Sequence, residues 1–216
     1  MPGCYFNGTW GRNLLLSCLL SSCLPVTRHR AVTVCTTALA PTDKVLVAHI
    51  HPIPLASSAW YFGILKEQFD KRNIPVLYAP EEEWALKSAG IVNPTDTQSY
   101  QSLLQKGFTH LLLIEQTDRQ AGDIADYYTP FEVGQRQVLW RDPRPNTTAH
   151  KATLVFKLIW LRNRAVAYRG TATTTISAVM KQDSDGGERY TNLGSVDMAT
   201  TKAIRRGAIR LLSECR

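Results

Sequence analysis

His49 and His51 stand two residues apart at the end of an apolar run, a spacing that puts both imidazoles on one face of an extended strand. Such a pair can bind a divalent metal if a third ligand approaches; without one it is two solvated side chains at a strand end. Asp183-Ser184-Asp185-Gly186 supplies two positions of a calcium loop, but Glu188 follows too closely to be the closing bidentate ligand. A polar turn accounts for it more simply. Glu81, Glu82 and Glu83 precede Trp84, a combination found in sugar sites, yet after Pro80 they also suit the first turn of a helix. Lys202, Arg205, Arg206 and Arg210 recur as a basic stripe near the C-terminus, able to meet lipid headgroups or a partner, or to stay solvated. The phosphate-loop, His-Glu-x-x-His, Gly-x-Ser-x-Gly and Cys-x-x-Cys patterns are all missing from the sequence. These residues therefore nominate no catalytic group and no cofactor, and leave His49 and His51 as weak metal candidates.

The elements that would position them alternate in type. Residues 44–50 form an apolar run of strand length, stopped by Pro52 and Pro54. A helix is predicted over 57–72, capped by Ser57 or Ser58, with Trp60, Ile64, Leu65 and Phe69 on its apolar side and Asn73 closing it. Residues 74–78 read as a short strand. A brief helix follows Pro80 and ends at Gly90, and a second runs from 94 to 106 with Gly107 as its stop. The continuous apolar run at 109–115 predicts a strand buried on both faces. Residues 118–130 read as a polar excursion, followed by a segment at 131–140 and a loop at 141–150. Period-two alternation of Leu154, Phe156, Leu158 and Trp160 predicts a strand over 152–161. A two-residue turn at Arg162-Asn163 leads into its partner over 165–179, with Gly170 at a bulge. A loop at 183–187 precedes a helix over 195–215 whose apolar stripe is Val196, Ala199, Ala203, Ile204, Ala208, Leu211 and Leu212. The expected fold is α/β: a single mixed sheet with helices packed on it, a long antiparallel hairpin and a C-terminal amphipathic helix.

The 216 residues are 44% hydrophobic, and no stretch reaches the roughly 18 unbroken apolar residues of a membrane-spanning helix. Residues 14–20 are mostly Leu, follow Arg12, and end in Leu20-Ser21-Ser22-Cys23; no acid precedes Asp43. This order resembles the export signal and lipobox of bacterial lipoproteins. The resemblance implies that 1–22 is removed as a signal peptide and that Cys23 carries lipid. Residues 23–41 then read as a tether and 42–216 as one domain. The uncharged prefix 1–11, with Tyr5 and Trp10, is unlike a signal and points to a later start. Leu24 in place of Asp after the Cys implies outer-membrane sorting, by similarity to enterobacterial rules. Cys35 and Cys215 are left as a candidate disulfide or as two unrelated thiols. Net charge is +7, and Arg12 is the one charge in 1–22, so 23–216 carry +6. That suits anionic headgroups, anionic glycans or an acidic partner; an exported chain seldom meets nucleic acid.

The order of elements, with "GFTHLLLIEQTD" before the central strand and "TLVFKLIWLRNRAVAYRGTATT" as the hairpin, is similar to small periplasmic lipoproteins with a TolB-N-terminal-like or CsgG-like domain. Gly107, His110, Trp160, Tyr168 and Gly170 carry that likeness. The lipoprotein activators of penicillin-binding proteins belong to this broad group. The resemblance implies a non-enzymatic, membrane-anchored envelope protein that binds a protein partner, its oligomeric state open. The alternative is a binder of an anionic envelope glycan or lipid, and an envelope hydrolase comes third.

Overall fold

The computed structural model describes residues 26–36, 38–121, 126–129, 149–177, 179–182, 188–191 and 194–214. A six-stranded mixed sheet has the order β1-β7-β6-β4-β2-β3. Its strands are β1 (Val26–Cys35), β2 (Val45–Val47), β3 (Val76–Tyr78), β4 (His110–Gln120), β6 (His150–Trp160) and β7 (Ala165–Ile176). A three-stranded antiparallel sheet joins β5 (Asp126–Thr129), β9 (Glu188–Thr191) and β8 (Val179–Gln182). The helices are α1 (Leu55–Asp70), α2 (Glu83–Ser88), α3 (Tyr100–Gln105) and α4 (Val196–Glu214). The α/β class, the mixed sheet, the long hairpin and the amphipathic C-terminal helix are all present.

β4 is the organising strand. It runs parallel to β2 and antiparallel to β6, so both of its edges are hydrogen-bonded. His110, Leu111, Leu112 and Ile114 are buried and Leu113 is half-buried, the pattern of a strand covered on both sides. On one face Val45, Val47, Leu112, Ile114, Leu154, Phe156 and Leu158 meet Tyr61, Phe62, Leu65 and Phe69 of α1 and Ala203, Ile204, Ala208 and Leu211 of α4. On the other, Leu46, Leu111 and Ile159 meet Leu86 of α2 and Tyr100 and Leu103 of α3. Beyond Glu115 the strand becomes more exposed and its register shifts between Gln116 and Asp118.

α1 starts two residues earlier than predicted, on Pro54. Ser58 is not its cap: the fully buried hydroxyl accepts from Ile50 N–H at 3.0 Å and lies 2.5 Å from Tyr78 Oη. Trp60 is not in the core either, because the buried face is turned to Tyr61, Phe62, Leu65 and Phe69, leaving Trp60 56% exposed. Asn73 closes the helix as expected, at φ +55, where Asn is among the residues that tolerate left-handed backbone. Gly107 ends α3 at φ +82, which needs a residue without a Cβ.

Three further expectations are corrected. Residues 26–35 are not a tether: they form an edge strand antiparallel to β7, interrupted by a register shift between Arg30 and Val34. The β6–β7 turn holds four residues, 161–164, since Trp160 pairs with Ala165, and Arg164 takes φ +54. The bulge lies between Leu158 and Ile159, where Ala167 is the extra residue, and not at Gly170. Gly170 has another duty, because the Tyr168 ring fills the space in which its Cβ would stand. The segments 131–140 and 183–187 lie outside the described residues.

Gly207 makes the same kind of provision for α4. A Cβ there would overlap the ring of the buried Phe156. Gly207→Ala gains about 1 kcal/mol of helix propensity but forces the packed ring or the helix to move, at about 1–3 kcal/mol. The variant is expected to unfold at a lower temperature than the wild type, by a few degrees, in a thermal melt.

Candidate functional site

The structure separates the residues that the sequence nominates. His49 and His51 are both exposed on either side of the buried Ile50, but they lie beyond β2, which ends at Val47 and not at residue 50 as expected. His51 is held through its backbone, donating to Ile114 O at 3.2 Å and accepting from Gln116 N–H at 2.7 Å. Among the described residues no group of three or more His, Cys, Asp or Glu is placed to hold a metal. Asp183 and Asp185 lie outside the described residues. Glu83 sits in the first turn of α2, paired with Lys87, and Trp84 stands 88% exposed beside it.

The basic residues of α4 do fall opposite its core stripe. Arg205 and Arg206 are exposed, Lys202 and Arg210 half-buried. Their charge is partly answered by α1, since Arg205 lies 3.9 Å from Glu67, which Lys71 already holds at 2.7 Å. The Lys71 hydrogen bond keeps the Glu67 carboxyl below its usual range, with Arg205 adding to the effect. Solvated pairs of this kind contribute little to stability but fix the sign of the surface. At the N-terminal end of α4, Arg119 of β4 reaches Asp197 at 3.1 Å, and Tyr61 Oη donates to the same carboxylate at 3.2 Å.

A second open surface belongs to the hairpin. Ala152, Leu154, Phe156 and Leu158 of β6 and Ala172, Thr174 and Ile176 of β7 are buried. Alternating with them, Lys151, Thr153, Val155, Lys157, Thr171, Thr173 and Thr175 are half-buried, and Thr153 and Thr173 share a 3.0 Å hydroxyl hydrogen bond across the strands.

His110 is the titratable group that periodicity concealed, because it occupies an inward position in an apolar strand. It is 2% exposed. Its Nδ1 lies 2.8 Å from Thr109 Oγ1 and 3.7 Å from Asp43 Oδ1, and its ring is roughly parallel to Trp160 at 6.3 Å. Nε2 has no hydrogen-bond partner among the described residues. Burial pushes the imidazole pKa down from 6.5, with Asp43 pulling it back in part. Only the His110 in Gly107-Phe-Thr-His110 signalled it, and nothing in the sequence pointed to Asp43.

Cys35 ends β1 opposite Tyr168 and is disulfide-bonded. Cys215, the candidate partner, lies outside the described residues.

Two outcomes are expected. A folded-state pKa below the unfolded value means that the unfolded chain binds the proton first, so His110 contributes stability above pH 6.5 that is lost as pH falls below it. The melting temperature should drop between pH 7.5 and pH 5, and His110→Phe should flatten that slope. Cys35→Ser should lower the unfolding free energy by about 2–4 kcal/mol in denaturant titrations under oxidising conditions. Cys215→Ser reproduces the loss if it is the partner, and leaves the midpoint unchanged if another cysteine is.

No protein-family model matches the chain, and no curated protein matches it. Its fold is similar to several solved structures at low identity. The PelC dodecamer from Paraburkholderia phytofirmans is 14% identical over 88% of this chain and 98% of that one, with a TM-score of 0.48. Lipoprotein GNA1162 from Neisseria meningitidis is 15% identical over 62% and 83% of the two chains, with a TM-score of 0.39. Protein XCC0632 from Xanthomonas campestris, of the DUF330 family, is 12% identical over 86% and 92%, with a TM-score of 0.39.

Proposed function

We propose that this chain is an envelope lipoprotein, lipidated on Cys23, that binds a protein partner without catalysing a reaction. The observation that carries the anchor is the order Arg12, apolar 14–20, Leu20-Ser21-Ser22-Cys23. No described helix is long and apolar enough to cross a membrane, and the lipid would supply the attachment. Leu24 after the Cys favours the outer membrane, facing the periplasm. Binding as the task rests on the two open surfaces, the half-buried threonine and lysine positions of β6 and β7 and the basic side of α4. Both lie on regular secondary structure.

A second reading has the same anchor but an anionic glycan or lipid as the ligand of Lys202, Arg205, Arg206 and Arg210. The excess of positive charge favours it, and the Glu67 pairing of Arg205 weighs against it. Envelope hydrolysis comes third, since among the described residues no group of three or more His, Cys, Asp or Glu is placed to hold a metal.

Growth with an alkyne-labelled fatty acid should label the wild-type chain and leave Cys23→Ala unlabelled. Persistent label in the variant, or none in either protein, would sink the anchor. Charge reversal at Arg205 and Arg206 separates the binding readings: loss of salt-sensitive binding to purified glycan or vesicles favours the second, and loss of a cross-linked protein complex favours the first.

A further inference from the structure

The anchor proposed above constrains how the domain can stand on its membrane, and the inference that follows rests on that reading. Cys23 is three residues before Val26, and three extended residues span at most about 10 Å. Val26 pairs with Thr175, Thr175 with Lys151 and Lys151 with Gln120, so these four residues form one row across β1, β7, β6 and β4. At the usual strand spacing the row is about 14 Å wide. A lipid on Cys23 therefore holds this end of the sheet, and no other, close to the bilayer.

The same end carries exposed apolar side chains. Arg119, next to Gln120, reaches Asp197; Asp197 accepts from Tyr61 Oη; and the Tyr61 ring packs edge-on against Trp60 at 5.0 Å. Trp60 is 56% exposed, Met198, beside Asp197, is 45% exposed, and Leu55 at the start of α1 is 58% exposed. α1 has ample apolar residues for its core face, so Trp60 on the outside gains nothing from burial in the fold. An indole presents an apolar ring and one N–H donor, which suits the boundary between acyl chains and headgroups. Among the described residues at this end, Asp118 is paired with Lys151 at 2.8 Å and Asp197 with Arg119 at 3.1 Å. That pairing lowers their repulsion from anionic headgroups. Trp84 is more exposed still, but it follows β3, the edge strand opposite β1.

We infer that Trp60, with Met198 and Leu55, is a membrane-docking surface that inserts into the lipid interface and fixes the orientation of the anchored domain. The acyl group supplies attachment, and this patch supplies direction. The hairpin face and the basic side of α4 are thereby kept at a set angle to the bilayer.

The test frees the readout from acylation. The mature chain that the anchor reading implies, residues 23–216, is held by an N-terminal histidine tag on phosphatidylethanolamine–phosphatidylglycerol vesicles doped with nickel-chelating lipid and brominated phosphatidylcholine. Bromine quenches only tryptophans that reach the acyl chains. The expected result is a blue-shifted, quenched emission that Trp60→Phe removes and Trp84→Phe leaves intact, with Met198→Gln weakening the quench. Circular dichroism checks that each variant retains the fold, which an exposed position permits. Quenching that survives Trp60→Phe, quenching carried by Trp84, or none in the wild type would each overturn the docking surface. A docked but unacylated native chain would instead refute the anchor alone, and an acylated chain without quenching would refute the docking alone.

Discussion

The double burial of β4 is the constraint on which the rest of this molecule depends. A strand whose side chains point alternately into two apolar layers needs helices on both faces and hydrogen-bonded strands on both edges, since its backbone polar groups meet no water. β2 and β6 meet the second demand, one parallel and one antiparallel. α1 and α4 cover one face, α2 and α3 the other. The parallel pairing requires a crossover, which the chain makes from β2 to β4 through α1, β3, α2 and α3. The antiparallel partner β6 is in turn paired through a tight hairpin with β7. Where β4 runs past Glu115 and its burial ends, the register shifts, and polar residues take over.

α4 links this core to the surfaces that face outward. Its small residues, Ala199, Ala203, Gly207 and Ala208, allow the helix to lie close on the hairpin, with Phe156 under Gly207. Close approach leaves the opposite side free for Lys202, Arg205 and Arg206. The Arg119–Asp197–Tyr61 contacts tie its first turn to β4 and α1. α1 and α4 lie side by side, in contact from Tyr61–Asp197 to Glu67–Arg205.

Much of the fold was legible because its signals are local. The apolar run at β4, the alternation in β6, the stops at Asn73, Gly90 and Gly107 and the stripe of α4 each follow from side-chain periodicity or from a backbone preference of one residue. β1 was not legible: Val26-Thr-Arg-His-Arg-Ala has the composition of a linker, and it becomes a strand because β7 offers an unpaired edge. Trp60 was placed on the wrong side because aromatic residues flank the true stripe, and helical spacing alone does not choose between 60–64 and 61–65. Ser58 reads as a cap from sequence, and only the arrival of Tyr78 from β3 makes it a buried hydrogen-bonding group. The candidate site was less legible still. The basic stripe of α4 is a matter of spacing within one helix, whereas His110 and Asp43 are 67 positions apart in sequence and meet only across the sheet.

The sequence by itself determined the α/β class, the burial of β4, the amphipathic last helix and the Leu-Ser-Ser-Cys23 motif, because each is written in neighbouring residues. Tertiary structure alone decided that Val26–Cys35 joins the sheet as a strand beside β7. It also decided that the space beside Gly170 is filled by Tyr168 of its own strand, and that Trp60 of α1 stays exposed beside Tyr61. Those outcomes depend on which surfaces meet when distant segments close on one core, and contact between distant segments has no local period to announce it.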